Sequence, residues 1–329
     1  MPHTVTPVAK RRLAAAAAAA SVLVLAACGS SAADGTASGD GDAAASGSDR
    51  PESLTFASIP SENATGIAAE YAVVLEAMEG ELGIPVELQE ATDYAAVIEA
   101  LRAGQVDVAA LGPFSYVTAR DGGAGVEPLG AVVDSADEDP GYVSYGVVPA
   151  GSDIAELSDF AGRTVCFVDP TSTSGYLYPS AGLLEAGVDP ETDVDPVMAG
   201  GHDASALSVA DGTCEAGFAY DSMVTTSLIE SGQLEEGALE VVWESEVIPG
   251  SPTVVSTNLP QELQDEITTL FTERMNAPWL AENGYCASED DCVLPEEHTY
   301  GYVPVEDELY DGIREVCDIT GSASCVEGE

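Results

Sequence analysis

Residues 164–185 read Thr-Val-Cys-Phe-Val-Asp-Pro-Thr-Ser-Thr-Ser-Gly-Tyr-Leu-Tyr-Pro-Ser-Ala-Gly-Leu-Leu-Glu. The first five are short, β-branched and apolar, the pattern of a strand buried in a parallel sheet. From Leu177 onward, Ala181, Leu183 and Leu184 recur at helical spacing until Gly187 ends the run. Between strand and helix stand Ser172, Thr173 and Ser174, followed by Gly175, with no bulky side chain to block approach to the backbone. A helix start presents up to four unpaired N–H groups and about half a positive charge, which suits an anion. One hydroxyl there would serve as an ordinary N-cap. Three in succession exceed what a cap requires and point to a cradle for an oxyanion.

The same alternation extends in both directions. Upstream, strand patterns at 54–57, 86–88 and 106–111 are separated by helical patterns at 68–78 and 94–102. Beyond Tyr142 the pattern restarts, with strands at 143–148, 164–168, 194–198, 215–220 and 239–243 and helices at 154–160, 176–185 and 204–210. A further helix is expected over 263–275. This βαβ order predicts α/β architecture with a mostly parallel sheet in each of two lobes, joined by crossing segments near 131–147 and 246–256. Ligands of such sheets sit outside the carboxyl ends of the strands, where the hydroxyl run lies. His202 opens a helix just after Gly200-Gly201, so its ring is expected in the same cleft. Tyr94, after Asp93, and Tyr142, after Pro140-Gly141, also stand at element junctions, where a phenol donates to an oxygen or covers an apolar substituent.

The ends of the chain speak to its compartment. Lys10-Arg11-Arg12 precede an apolar run, Leu13 to Ala27, too short for a membrane span of ~20 residues. It closes on Leu25-Ala26-Ala27-Cys28 and resembles a bacterial lipoprotein signal, residues 1–27, with Cys28 as the lipidated first residue of the mature chain. Residues 28–52, rich in Gly, Ser, Ala and Asp, read as a flexible tether. The roughly 275 residues that follow suit one large or two medium domains.

The chain holds 9 Lys and Arg against 58 Asp and Glu, a net of −49; three of the basic residues lie in the leader, leaving 6 against 58 thereafter. Such acidity excludes nucleic acid, whose affinity comes from neutralised phosphates. It also repels anions at long range, so capture must rest on short-range donors inside a cleft, with His202 as the one group there expected to add positive charge. Six cysteines remain after Cys28, an even number suited to three disulfides in an oxidising compartment. Locality favours Cys286 with Cys292 and Cys317 with Cys325, which leaves Cys166 with Cys214, both on or beside strand patterns. With no C-x-x-C and scattered histidines, a metal centre is not expected, nor any cofactor.

Taken together, Ala91-Thr92-Asp93-Tyr94, Leu111-Gly112-Pro113-Phe114-Ser115-Tyr116, Pro140-Gly141-Tyr142, Ser172-Thr173-Ser174-Gly175-Tyr176, Gly201-His202-Asp203 and Ile248-Pro249-Gly250 resemble the phosphonate, phosphite and phosphate-binding proteins of ABC importers. The resemblance covers residues 54–275, and Asp307, Tyr310 and Arg314 extend it. It implies a two-lobed periplasmic-binding-protein fold of type II, with lobe 1 discontinuous over 53–142 and 250–329 and lobe 2 over 143–249. It implies a monomer that takes a small phosphorus oxyanion between the lobes and delivers it to a permease and its ATPase. The ligand-binding set carried over is Tyr94, Ser115, Tyr142, Ser172, Thr173, Ser174, His202, Asp221 and Ser251. Where aminoalkylphosphonate binders of this family place acids for the ligand's amine, this chain has Ser222, beside Asp221, and Ser251; that departure favours phosphate, phosphite or an alkylphosphonate. Two other readings are a lipid-anchored sensor of the same fold and a secreted hydrolase using Ser172 or Ser174, His202 and Asp203 or Asp221. The chain lacks a Gly-x-Ser-x-Gly elbow.

Overall fold

The computed structural model describes residues 50–61 and 64–325. The leader, Cys28 and all but the last residues of the expected tether lie outside the described residues. The chain first lays down β1 (Leu54–Ser58), β2 (Val86–Gln89), β3 (Val108–Ala110) and β4 (Val126–Val133), alternating with helices. It crosses over as β5 (Gly141–Tyr142) and builds a second sheet from β6 (Ser144–Pro149), β7 (Thr164–Phe167), β8 (Asp195–Met198), β9 (Ala216–Tyr220) and β10 (Leu239–Glu244). It returns as β11 (Ile248–Pro249) and adds β12 (Thr253–Ser256) and β13 (Gly301–Pro304) to the first sheet.

Among the described residues the strand orders are β13-β4-β12-β3-β1-β2 and β10-β6-β9-β7-β8, with β11 and β5 forming a two-stranded ribbon where the chain crosses. The expectation of mostly parallel sheets holds for strand direction but not for pairing. β2, β1 and β3 pair in parallel, as do β8, β7 and β9. The strands that cross over, β6 and β12, insert antiparallel to their neighbours, and β13 adds antiparallel to β4 at the edge. Each sheet is therefore mixed, because a chain that comes back from the other sheet arrives in the opposite direction.

Successive residues of a strand face opposite sides of its sheet, and each sheet is covered on both. Phe56 of β1 packs with Val74, Met78, Ile267 and Phe271, while its neighbour Ala57 packs with Ile98, Phe114, Val254 and Tyr310. In the second sheet Phe167 joins Phe160, Leu183 and Phe218, while Cys166 joins Val147, Ala206 and Val209. The helix expected over 68–78 is two helices, Ala64–Glu70 and Ala72–Leu82, broken at Tyr71, whose ring lies 5.1 Å from that of Phe56. The one expected over 154–160 is a single tight turn, Leu157–Phe160. Disulfides join Cys166 to Cys214, Cys286 to Cys292 and Cys317 to Cys325, as locality suggested. The first ties β7 to the turn entering its parallel partner β9.

Candidate functional site

The junction after β7 is shaped by its own side chains. The Val168 N–H donates to the Gly175 carbonyl at 3.1 Å, and Asp169 Oδ1 accepts from both the Thr171 N–H (2.8 Å) and the Thr171 hydroxyl (2.7 Å). The chain thus turns back tightly, and a Cβ at Gly175 would overlap the Val168 side chain, so only glycine fits. Ser172 Oγ accepts the Gly175 N–H at 3.1 Å, so it is the N-cap expected of a lone hydroxyl there. The helix begins as a wide turn, Thr173–Leu177, and continues as Tyr178–Glu185.

Thr173 does something the sequence did not signal. Its Oγ1 accepts the Phe114 N–H at 2.8 Å, capping the helix Pro113–Asp121 on the first sheet, whose own N-cap residue, Gly112, has no side chain to offer. Ser115 Oγ donates to the Thr171 carbonyl at 2.9 Å, and the His202 N–H donates to the Ser61 carbonyl at 2.8 Å. Three hydrogen bonds therefore hold segments of the two sheets against each other around the junction.

These contacts bring four helix starts to one cavity of about 330 Å³. Tyr94 begins the helix Tyr94–Arg102, Gly112 precedes Pro113–Asp121, Ser172 caps the third, and His202 begins His202–Ala210. Each helix start lines the same space, and the backbone dipole places partial positive charge at such an end. Side-chain donors join them. A hydroxyl that accepts a backbone N–H keeps its own proton to give, and Ser172 and Thr173 are both in that state. Tyr94 is 1 % exposed and its Oη has no hydrogen-bond partner, so a buried donor stands ready for an incoming acceptor. Burial and the Asp169 carboxylate hold that phenol protonated. The Tyr142 phenol is likewise kept protonated by burial and lies within reach of the Ser174 and Thr173 hydroxyls.

His202 departs from expectation. Its Nδ1 accepts the Tyr220 N–H at 3.2 Å, which leaves the proton of the neutral ring on Nε2, 3.3 Å from Ser172 Oγ. Burial pushes its pKa down to about 3, so at neutral pH it contributes a neutral N–H donor rather than the positive charge anticipated. An unfolded chain takes up this proton first, so the stability that depends on a neutral His202 is complete above about pH 6.5 and declines as pH falls toward about 3. His202→Gln should flatten that decline by roughly 1 kcal/mol per pH unit, read as the difference between the two proteins in denaturant unfolding across pH 6 to 4. Equal slopes would show that the ring is already charged in the folded protein.

Of the residues expected to bind ligand, Tyr94, Tyr142, Ser172, Thr173, Ser174, His202, Asp221 and Ser251 line the cavity. Ser115 does not; it is fully buried and its hydroxyl serves the Thr171 carbonyl. Ser222 and Ser251 do line the cavity without a carboxylate, but acids enter it from elsewhere: Glu70, Asp134, Glu138 and Glu296. Asp134 pairs with His298 at 3.3 Å. No lysine or arginine is among the described residues lining the space. The hydrolase reading loses its geometry here. With the proton on Nε2, His202 has no lone pair to receive one from Ser172, and its Nδ1 meets a backbone N–H where a triad places a carboxylate.

Two α/β sheets linked by a crossing ribbon, with a polar cavity at the helix starts between them, define a solute-binding protein of the periplasmic type II class. The chain belongs to the family of periplasmic substrate-binding proteins of ABC phosphonate transporters, whose pattern matches residues 56–310. It is 45% identical over 299 residues to the phosphate-import protein PhnD of Mycolicibacterium smegmatis, covering 86% of this chain and 93% of that one. Its fold is similar to the binding component of an ABC phosphonate transporter from Pseudomonas aeruginosa, with a TM-score of 0.70, 24% identity and coverage of 82% and 86%. It is also similar to PhnD1 of Prochlorococcus marinus, solved with methylphosphonate, with a TM-score of 0.67, 19% identity and coverage of 83% and 100%.

Proposed function

We propose that the protein captures a small phosphorus oxyanion outside the cytoplasm and delivers it to an ABC permease and its ATPase, without chemical change. The observation that carries this reading is the convergence of four helix starts, the Ser172–Ser174 hydroxyls and the unpartnered Tyr94 phenol on a cavity with no lysine or arginine among its described lining residues. Neutral donors of this kind bind a compact tetrahedral oxyanion from several directions at once. The related import protein from Mycolicibacterium smegmatis, named for phosphate, supports the same class. Closure brings both lobes to the ligand, residues 53–142 and 250–329 forming one and 143–249 the other, with the β5–β11 ribbon as the crossing about which they move. Calorimetric titration of the purified folded domain with phosphate, phosphite, methylphosphonate and aminoethylphosphonate tests the reading. Saturable binding of at least one is expected; heat from none would refute it.

Lipidation at Cys28 would hold this receptor at the outer face of the cytoplasmic membrane. No helix among the described residues is long and apolar enough to cross a bilayer. Cys28→Ser should leave the domain folded and move it to the soluble fraction on cell fractionation. Retention of the variant on membranes would place the anchor elsewhere.

A further inference from the structure

The cavity is lined by groups of two opposite kinds, the hydroxyls and helix starts on the one hand and the carboxyl of Glu296 on the other. That residue has φ 58° and ψ 23°, a left-handed conformation that is uncommon for a residue with a side chain. Such strain persists only where the surroundings hold it. They do: the Glu296 N–H donates to Glu70 Oε1 at 2.8 Å, the Cys286–Cys292 disulfide closes the preceding loop, and the Thr299 N–H and hydroxyl bond Asp134 just after it.

The carboxylate so held reaches Ser251 and lies beside His298 and Asp221. It is the leading charge acting on the Tyr142 phenol, which in turn reaches the Ser174 and Thr173 hydroxyls. Glu296 and the hydroxyl run therefore line the same ligand space, with the Tyr142 phenol close to both. An oxyanion resting on the donors presents its remaining oxygen to a group that, when ionised, can only accept.

We propose that Glu296 is a specificity-determining residue, sharing one proton with the bound oxyanion, so that the site favours phosphorus oxyanions that bring a P–OH group with them. This rests on reading the cavity as an oxyanion site. Orthophosphate keeps a P–OH whether singly or doubly charged. Methylphosphonate and phosphite each lose theirs at the second ionisation, and their dianions set only bare oxygens against the carboxylate. Such a dianion binds only when a proton is taken from solvent, onto the ligand or onto Glu296, whose carboxyl pKa is raised by burial. The other groups around Glu296 are Glu70, Asp134, Asp221, His298 and the phenols of Tyr71, Tyr142, Tyr302 and Tyr310, with Glu138 and His202 also in the cavity lining. Their titration acts on every oxyanion in the site, so it cancels when two ligands are compared at one pH.

Proton uptake on binding decides the matter, measured at about pH 8 by calorimetry in buffers of differing ionisation enthalpy. The wild type should bind methylphosphonate with uptake of about one proton more than it takes up with phosphate. Its preference for phosphate should rise roughly tenfold per pH unit above the second ionisation of methylphosphonate. In Glu296→Gln, whose amide offers a donor as well as an acceptor, the extra proton should disappear and the preference should shrink on the order of tenfold or more. Equal proton counts for the two ligands in the wild type would overturn the proposal without any variant. So would a Glu296→Gln protein that keeps the difference. Tighter binding of aminoethylphosphonate than of phosphate would make Glu296 the partner of an ammonium and also overturn it. Binding of no phosphorus oxyanion would instead refute the underlying reading of the cavity, and this proposal with it.

Discussion

Thr173→Val should weaken ligand binding on the order of a hundredfold and loosen the contact between the two sheets. The hydroxyl has two tasks. Its oxygen accepts the buried Phe114 N–H, and its own proton remains to be given to a ligand in the cavity that Thr173 lines. Valine keeps the shape and removes both. Loss of a donor to a charged oxygen costs about 1.5–3 kcal/mol, and an orphaned buried N–H costs a further ~1–3 kcal/mol in the closed form. Two comparisons separate these effects. Ser174→Ala should cost ten- to a hundredfold in affinity, about what one charged hydrogen bond provides, because its carbonyl still serves Ser144. Ser115→Ala removes a bond between the sheets at a residue outside the cavity, so it should act on closure alone. Binding should fall in each case without vanishing, since backbone donors remain. Unchanged affinity in Thr173→Val would move the anion away from this junction.

Separating Cys166 from Cys214 should be the costliest disulfide change. A closed loop spanning 48 positions removes about 4 kcal/mol worth of unfolded-state entropy by the chain-entropy estimate. The loops spanning 6 and 8 positions remove about 2 to 2.5 kcal/mol by the same estimate. Burial points the same way, since both Cys166 and Cys214 are wholly inaccessible within the second sheet's core. A Cys166→Ala, Cys214→Ala double variant should therefore lose more stability in urea than the equivalent change at either of the other pairs. A larger loss at Cys286–Cys292 would mean that the loop bearing Glu296 matters more to the fold than its length implies.

How far the sequence could be read depends on whether a signal is local. The hydroxyl run was legible because its three members are contiguous and flanked by clear strand and helix patterns. The cysteine pairs were legible because two of them are close in sequence. The helix Pro113–Asp121 was not anticipated, and its burial explains why. Pro113 through Ala119 are all buried, so no polar face alternates with an apolar one. β4 and β13 also gave no pattern; β4 contains Pro128 and Gly130, and β13 ends in Pro304. β12 follows the Pro249-Gly250-Ser251-Pro252 turn signal so closely that its four residues were taken into the crossing segment. The acidic wall was least legible. Asp221 was singled out through its motif, but Glu70, the Asp134 and Glu138 pair and Glu296 come from three separate segments, and among 58 acidic residues nothing local distinguishes them. Tyr94 and Tyr142 line the cavity, whereas the hydroxyl of Ser115, carried by its motif, donates to the Thr171 carbonyl outside that lining.

A cavity with no lysine or arginine among its described lining residues, set in so acidic a chain, also governs how quickly cargo arrives. A basic pocket draws anions in from a Debye length away and loses that advantage as salt rises. Here the long-range field works against arrival and the attraction begins only at contact with the helix starts and hydroxyls. Added salt should therefore speed association by damping the outward repulsion, while dissociation, controlled by short bonds inside a closed cleft, should change little. Stopped-flow binding at low and high ionic strength would show this as a rising on-rate beside a constant off-rate.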